Sequence, residues 1–300
     1  MIWSWSSLTI TIGTLVLAPC LLGIIPRVKA WFAGRQGQPL FQVYYDLAKL
    51  MRKGAVYSTT TTWLFRFGPV LGLVTMLAAL VILPLVGFPA VLKFTGDFLL
   101  FAYLLALARF FMILTAMDTG SSFEGMGASR EATFSTLTEP ILFLALATLV
   151  KHSGMLSLSD AFAQPHLLNL ASLVLISMGL GIMILVENCR IPIDDPNTHL
   201  ELTMIHEVMV LDNSGPDLAL ILYTASLKLW ITVGILAQLL IPTLPGPVWG
   251  RPLCVFACMI GLTIAVGIIE SIMARTRLAQ IPKLIVGADL LVLLGFMVAR

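Results

Sequence analysis

The sequence predicts an all-α, polytopic membrane protein of about eight transmembrane helices, joined by an amphipathic helix at the cytoplasmic interface. Composition, the length of the apolar runs and the placement of basic residues carry that prediction. The chain of 300 residues is 58% hydrophobic and 11% charged, with a mean hydropathy of +0.97, where a soluble domain carries roughly a quarter charged residues. Apolar runs fall near 7–26, 68–87, 98–117, 140–158, 167–187, 218–241, 252–272 and 281–299. Each is about 20 residues, the length that crosses a hydrocarbon core of about 30 Å at 1.5 Å per helical residue. Barrel strands would instead alternate over about ten residues. The fourth run is interrupted by Lys151 and His152. The whole chain, 1–300, reads as a single membrane domain with no soluble domain.

The first connection holds Arg27, Lys29, Arg35, Lys49, Arg52, Lys53 and Arg66, which places it on the cytoplasmic side. With an even number of spans, the connections holding Arg130, Arg190 and the trio Arg275, Arg277 and Lys283 share that side, and both termini face outward. The long connections, 27–67, 118–139 and 188–217, are then all cytoplasmic and form one face built to be covered. In the first, Leu40, Tyr44, Leu47, Leu50 and Met51 recur at helical spacing opposite Asp46, Lys49, Arg52 and Lys53, the pattern of a helix lying in the interface. Either a membrane-surface anchor or a docking platform fits that pattern. Leu8 to Ile25 lacks the charged leader and small-residue cleavage site of a signal peptide and reads as a retained span.

Cys20, Cys189, Cys254 and Cys258 are too scattered for a disulfide framework or a cluster motif and read as small buried thiols. No metal site is expected, because His199 and His206 lack cysteine or histidine neighbours in sequence. No nucleic-acid partner is expected, since the basic residues follow the membrane pattern.

Ionisable residues at bilayer depth cost at least about 2.5–3.5 kcal/mol each on insertion scales, so each needs a partner, a wet cavity or a function. Arg109, Asp118, Glu124, Arg130, Glu131 and Glu139 gather on the third span and the connection after it. If 129–139 is helical, Glu131, Ser135, Thr138 and Glu139 share a face leading to Pro140. The fifth span ends at Glu187, three residues before Arg190, with which an i, i+3 ion pair is the plain structural alternative to a functional role. The chain then passes through Pro192, Asp194, Asp195 and Pro196, a rigid non-helical link. A second helical stretch is expected from about Thr198, with His199, Thr203, His206 and Glu207 within about 100° of one face and Glu201 some 120° from Glu207. Lys228 lies well inside the sixth span and Glu270 closes the seventh; a buried pair or a snorkelling head group is the alternative reading for Glu139 and Lys228. Burial brings such groups into the range where they exchange protons near neutral pH, the chemistry of a relay.

The stretch Ala108-Arg109-Phe110-Phe111, followed by Asp118-Thr119-Gly120-Ser121-Ser122-Phe123 and Gly127-Ala128-Ser129-Arg130-Glu131-Ala132, closely resembles the membrane subunit of the group 4 membrane-bound hydrogenases, the formate hydrogenlyase and hydrogenase-4 type. That family is homologous to the H subunit, or subunit 1, of respiratory complex I. Arg35-Gln36-Gly37-Gln38-Pro39 and the helix from Gln42 through Asp46 to Lys49-Leu50 resemble its first connection. Arg130 and Glu139 keep its spacing of loop arginine and span-opening glutamate, Lys228 matches a lysine of the hydrogenase branch, and Glu270 with Met273-Ala274-Arg275 matches its seventh-span ending. Glu187, Arg190, Pro192, Asp194, Glu201 and Leu202 fall in register with its acidic fifth connection, and Asp212-Asn213-Ser214-Gly215 resembles the turn that follows. The pattern departs where Ile193 replaces an aromatic and Asn197 and His199 replace acids, a reduced cluster in which His199, His206 and Glu207 are the available substitutes.

The resemblance implies a subunit of the cytoplasmic membrane of a prokaryote, without a catalytic centre or bound cofactor of its own. It implies an iron–sulfur small subunit and a large catalytic subunit on the cytoplasmic face, carrying iron–sulfur clusters and a nickel–iron centre or a quinone site, and antiporter-like membrane subunits alongside. On that reading Glu139, Glu187, Glu201, Glu207, Asp194, Lys228, His199 and His206 form a relay for H⁺ or Na⁺. Arg35, Asp46, Lys49, Arg109, Asp118, Glu124, Arg130, Glu131, Arg190, Asp212, Glu270 and Arg275 serve docking or act as charge partners. A structural anchor that conducts no ions and a quinone-site subunit are the competing roles; an independent transporter would require internal repeats, which are not evident.

Overall fold

The computed structural model describes residues 5–163, 168–194, 204–241 and 250–299. Helix α1 (Trp5–Phe32) is followed by α2 (Gln42–Met51), α3 (Trp63–Ile82), α4 (Asp97–Asp118), α5 (Ser122–Ser153), α6 (Leu158–Ala163), α7 (Leu170–Glu187), α8 (Gly215–Leu240), α9 (Gly250–Ile272) and α10 (Ile281–Val298). Among the described residues eight helices are long and apolar enough to span a bilayer, all but α2 and α6, and no strand is present. The chain is an all-α multi-pass membrane protein.

Helix α8 forms the centre, packed against α1, α2, α3, α7 and α9. Its side chains are buried on every side from Leu227 through Trp230 to Leu239, as expected of a helix apolar all round. Around it α3 pairs with α4, α4 with α5, and α10 fills the groove between α5 and α7.

Three spans differ from expectation, the first by running on to Phe32 rather than ending near 26, so that residues 27–32 of the expected connection are helical. The second runs over Trp63–Ile82 rather than 68–87. The Thr62 hydroxyl caps its start by accepting from Leu64 N, and Pro84 follows its end, where Leu85 and Phe88 close a turn. The fourth is one helix of 32 residues, Ser122–Ser153, about 48 Å long. Residues 122–139, expected as a connection, are therefore mostly its first half, and Pro140 is accommodated within it. The long helix brings Glu124, Glu131 and Glu139 onto one rod.

Proline also shapes α1. Pro19 has no amide hydrogen to give Leu15, and the Tyr223 hydroxyl of α8 donates to that carbonyl instead at 2.8 Å. Tyr44 of α2 donates to the next carbonyl, Val16. The Tyr44 bond holds α2 against α1, with Tyr44, Leu47 and Leu50 half-buried and Asp46 and Lys49 exposed; Met51, expected on the apolar face, is exposed.

The turn after residue 203 lies on α5 at Gly127, where an added Cβ would stand 2.3 Å from a Val208 methyl and 2.9 Å from the Ile205 carbonyl oxygen. The helix expected from about Thr198 gives way, in its described part, to a bend at Ile205 and His206 and a 3₁₀ turn over Glu207–Val210. Gly127→Leu should unseat this turn and destabilise the protein by about 1–3 kcal/mol. A lower unfolding temperature in detergent together with faster proteolysis near Val208 is the expected outcome.

Candidate functional site

Three helices bring charge to one point in the bundle. Arg109 lies on α4, Glu187 is the last residue of α7, and Lys228 sits on α8. Arg109 Nη1 donates to Glu187 Oε1 at 2.9 Å, and Lys228 Nζ approaches Glu187 Oε2 at 2.9 Å. All three are largely buried, Glu187 to 9% side-chain exposure. Arg109 Nη2 also stands 3.8 Å from Glu139 Oε1. Asn188, just past the end of α7, donates to Thr232 of α8 and to the Ile184 carbonyl, which fixes Glu187 against Lys228 one turn away.

This triad walls two cavities. One, of about 80 Å³, is lined by Arg109, Glu131, Glu187, Cys189, His206 and Lys228 among others. The other, of about 330 Å³, lies between α4 and α5 and is lined by Arg109, Thr138, Glu139, Glu187, Lys228 and Thr232 together with apolar side chains. Glu131 is buried at 8% exposure, whereas the Glu139 side chain is half exposed. Burial pushes the His206 imidazole down to about 4, with Lys228 adding to the effect, and burial pushes the Cys189 thiol well above its ordinary value.

A second set of charges ties the connections together. Arg190 does not pair with Glu187 but turns to Glu270 of α9 at 3.4 Å, and Lys29 of α1 meets the same carboxylate at 2.9 Å. The i, i+3 pair between Glu187 and Arg190, which their spacing offered as the structural alternative, gives way to longer-range partners for both. Asp194 accepts from Arg275 at 2.9 Å and from the amides of Ile205 and His206, while Thr276 donates twice to the Pro192 carbonyl. Arg130 donates to the Met204 carbonyl, and Glu124, fully buried, accepts from the Asp212 amide. Asp118 accepts from the Thr62 amide and hydroxyl and from the Phe65 amide, a cap on the positive end of α3.

The expected relay residues Glu139, Glu187 and Lys228 are therefore brought together, with His206 across the smaller cavity. Glu207 opens the 3₁₀ turn and is not part of the cavity lining. His199 and Glu201 lie outside the described residues. Of the expected docking and charge partners, Arg109, Asp118, Glu124, Arg130, Arg190, Glu270 and Arg275 make internal ties, whereas Arg35, Asp46, Lys49 and Asp212 are exposed. Glu131, expected as a charge partner, instead lines the smaller cavity. The contribution of Cys189 was missed, since nothing in cysteine spacing points to it.

A polytopic bundle with a paired charge cluster at its centre defines a multi-pass membrane protein built around buried ion pairs. The family described as NADH dehydrogenase matches residues 6–299, and the chain belongs to it. It is 34% identical over 233 residues to hydrogenase-4 component C of Escherichia coli (strain K12), covering 76% of this chain and 72% of the relative. It is 29% identical over 278 residues to formate hydrogenlyase subunit 4 of the same organism, covering 89% of each. Its fold matches a chain from the structure of the membrane-bound sulfane sulfur reductase, an archaeal respiratory membrane complex, with a TM-score of 0.82 over 97% of both chains at 18% identity.

Removing one member of a buried ion cluster strands its partner. Lys228→Met should destabilise the protein by about 3 kcal/mol, and the double variant with Glu187→Gln should be less unstable than the sum of the two by about 1–3 kcal/mol. Unfolding of the detergent-solubilised protein through the double-mutant cycle measures that coupling.

Proposed function

We propose that this chain is the coupling subunit of a membrane-bound redox complex, in which electron transfer in a docked peripheral arm drives H⁺ or Na⁺ movement past the Arg109–Glu187–Lys228 triad. The observation that carries this reading is that the triad walls both cavities. An ion passing from the side of His206 and Glu131 to the side of Glu139 meets Glu187, whose two carboxylate oxygens each hold a different cation. Protonating Glu187 would release Arg109 toward Glu139, 3.8 Å away, and free Lys228, so one proton exchanges the partners on both sides. Asp194 belongs to this reading as the tie between the turn carrying His206 and Arg275.

The partners follow from the same reading. An iron–sulfur subunit and a large catalytic subunit, holding the clusters and any nickel–iron or quinone site, would seat on the connections where Arg35, Asp46, Lys49 and Asp212 are exposed. Glu139 is half exposed beside the apolar Leu99, Tyr103 and Phe143, and an antiporter-like membrane subunit laid over that opening would cover it. The cytoplasmic membrane of a prokaryote is the setting that the bacterial relatives support, and the basic connections favour both termini outside.

A structural anchor is the competing reading, favoured by the ties through Glu270, Asp194 and Arg275. Glu187→Gln in the assembled complex separates the two. Ion translocation per electron should fall at least about tenfold while electron transfer and assembly persist. Pumping per electron that stays at the wild-type ratio would remove the relay role and leave the anchor.

A further inference from the structure

The geometry points to a binding site for one divalent transition-metal ion of the zinc type, held by Glu131, Cys189 and His206 at the meeting of α5, the end of α7 and the turn before Glu207. A carboxylate oxygen of Glu131, the Cys189 Sγ and an imidazole nitrogen of His206 all lie within 4.8 Å of one another. Metal bonds of about 2.0–2.3 Å place tetrahedral ligands roughly 3.3–3.8 Å apart, so the donors need to draw in by about an ångström. The pieces that move are two side chains and one short turn, against a carboxylate on the long helix α5.

The chemistry of the set is selective. Thiolate with imidazole and a single carboxylate suits zinc, cobalt or nickel, and is poor for calcium or magnesium, which require mostly oxygen. Charge closes as well. Among the described residues no cation stands within salt-bridge distance of Glu131, because Arg109 and Lys228 are both held by Glu187. Glu131 and a Cys189 thiolate would together neutralise a divalent ion, with the thiol proton released as the ion enters.

One further observation points to a ligand rather than to packing. The Nδ1 of His206 is enclosed and has no hydrogen-bond partner among the described residues, a condition that costs about 1–3 kcal/mol unless something satisfies it. Cys189 is the left-handed residue, φ +50°, of the cap that ends α7, where the Arg190 amide donates to the Leu185 carbonyl, and its side chain lines the cavity with the other two donors. The cavity of about 80 Å³ leaves room for a water as fourth ligand, which needs about 10–15 Å³. Such an ion would fasten three separate elements beside the triad and, while bound, would withdraw Glu131 and His206 from the ion path proposed above; its binding is read without any measurement of ion movement.

Cobalt titration of the intact complex, purified in detergent and stripped with a chelator, tests the site. The expected result is one tightly held equivalent of Co²⁺ with a thiolate-to-cobalt charge-transfer band that Zn²⁺ abolishes. Cys189→Ser should lose the band, and Glu131→Gln and His206→Ala should weaken binding at least tenfold. A variant with Cys20, Cys254 and Cys258 all changed to Ser should keep the band, which assigns it to Cys189 with the site itself left intact. Failure of the folded wild-type complex to retain an equivalent, loss of the band in that triple variant, or a band that survives Cys189→Ser, would overturn the assignment.

Discussion

The arrangement depends on one electrostatic constraint: a charge inside an apolar bundle must be met by its opposite. Glu187 meets that constraint twice over, with Arg109 on one oxygen and Lys228 on the other. Stability alone does not account for such a cluster, since well-packed apolar residues often serve as well or better, whereas an ion left without its partner is expensive. Two cations on one carboxylate also leave a choice of partners, because Glu139 stands within reach of Arg109 and Glu131 faces the same cavity. A cluster with more than one satisfactory pairing can change state by moving a proton and a side chain, without moving a helix.

The end of α7 extends that constraint toward the surface. Glu187, Arg190 and Asp194 are spaced by three and four residues, and each reaches a different element: α4 and α8, then α9, then the α9–α10 link together with the turn at His206. A displacement of the 188–194 segment therefore alters pairings at the bundle centre and at the connections together. In the proposed reading this short segment is the mechanical link between a docked arm and the buried charges. A demonstrated two-state element would be the physical warrant for coupling, and the segment is where it should be sought.

Much of the fold was legible because long apolar runs have one economical solution in lipid. The errors fall where local signals compete. Residues 83–87 are apolar yet not helical, because Pro84 cannot continue α3. Residues 122–139 are polar yet helical, because they pack beneath the turn at Val208 and lead without a break into α5. At the site, the residue types were readable as costly in lipid, but their partners were not. Local spacing favoured Glu187 with Arg190, and the bundle instead pairs Glu187 with residues 78 and 41 positions away, as the differences from Arg109 and Lys228 show. Cys189 and His206 become neighbours only through the turn that Asp194 holds by its two amide bonds.

The same ties decide what kind of surface the connections offer. Asp118 is committed to the start of α3, Glu124 to the Asp212 amide, Arg130 to the Met204 carbonyl, and Asp194 to Arg275. These bonds use the charges that a flexible loop would otherwise present to a partner, and they fix backbone that would otherwise need ordering on assembly. A surface already ordered binds without that entropic cost, which runs to about 0.5–1.5 kcal/mol for each side chain immobilised. In the proposed reading the exposed charges, Arg35, Asp46, Lys49 and Asp212 among them, would serve orientation and selectivity more than raw affinity. In the proposed reading, strain from a partner would pass along the tied segments, and Asp194 and Arg190, held by Arg275 and Glu270 on the stretch of chain that begins at Glu187, would carry it.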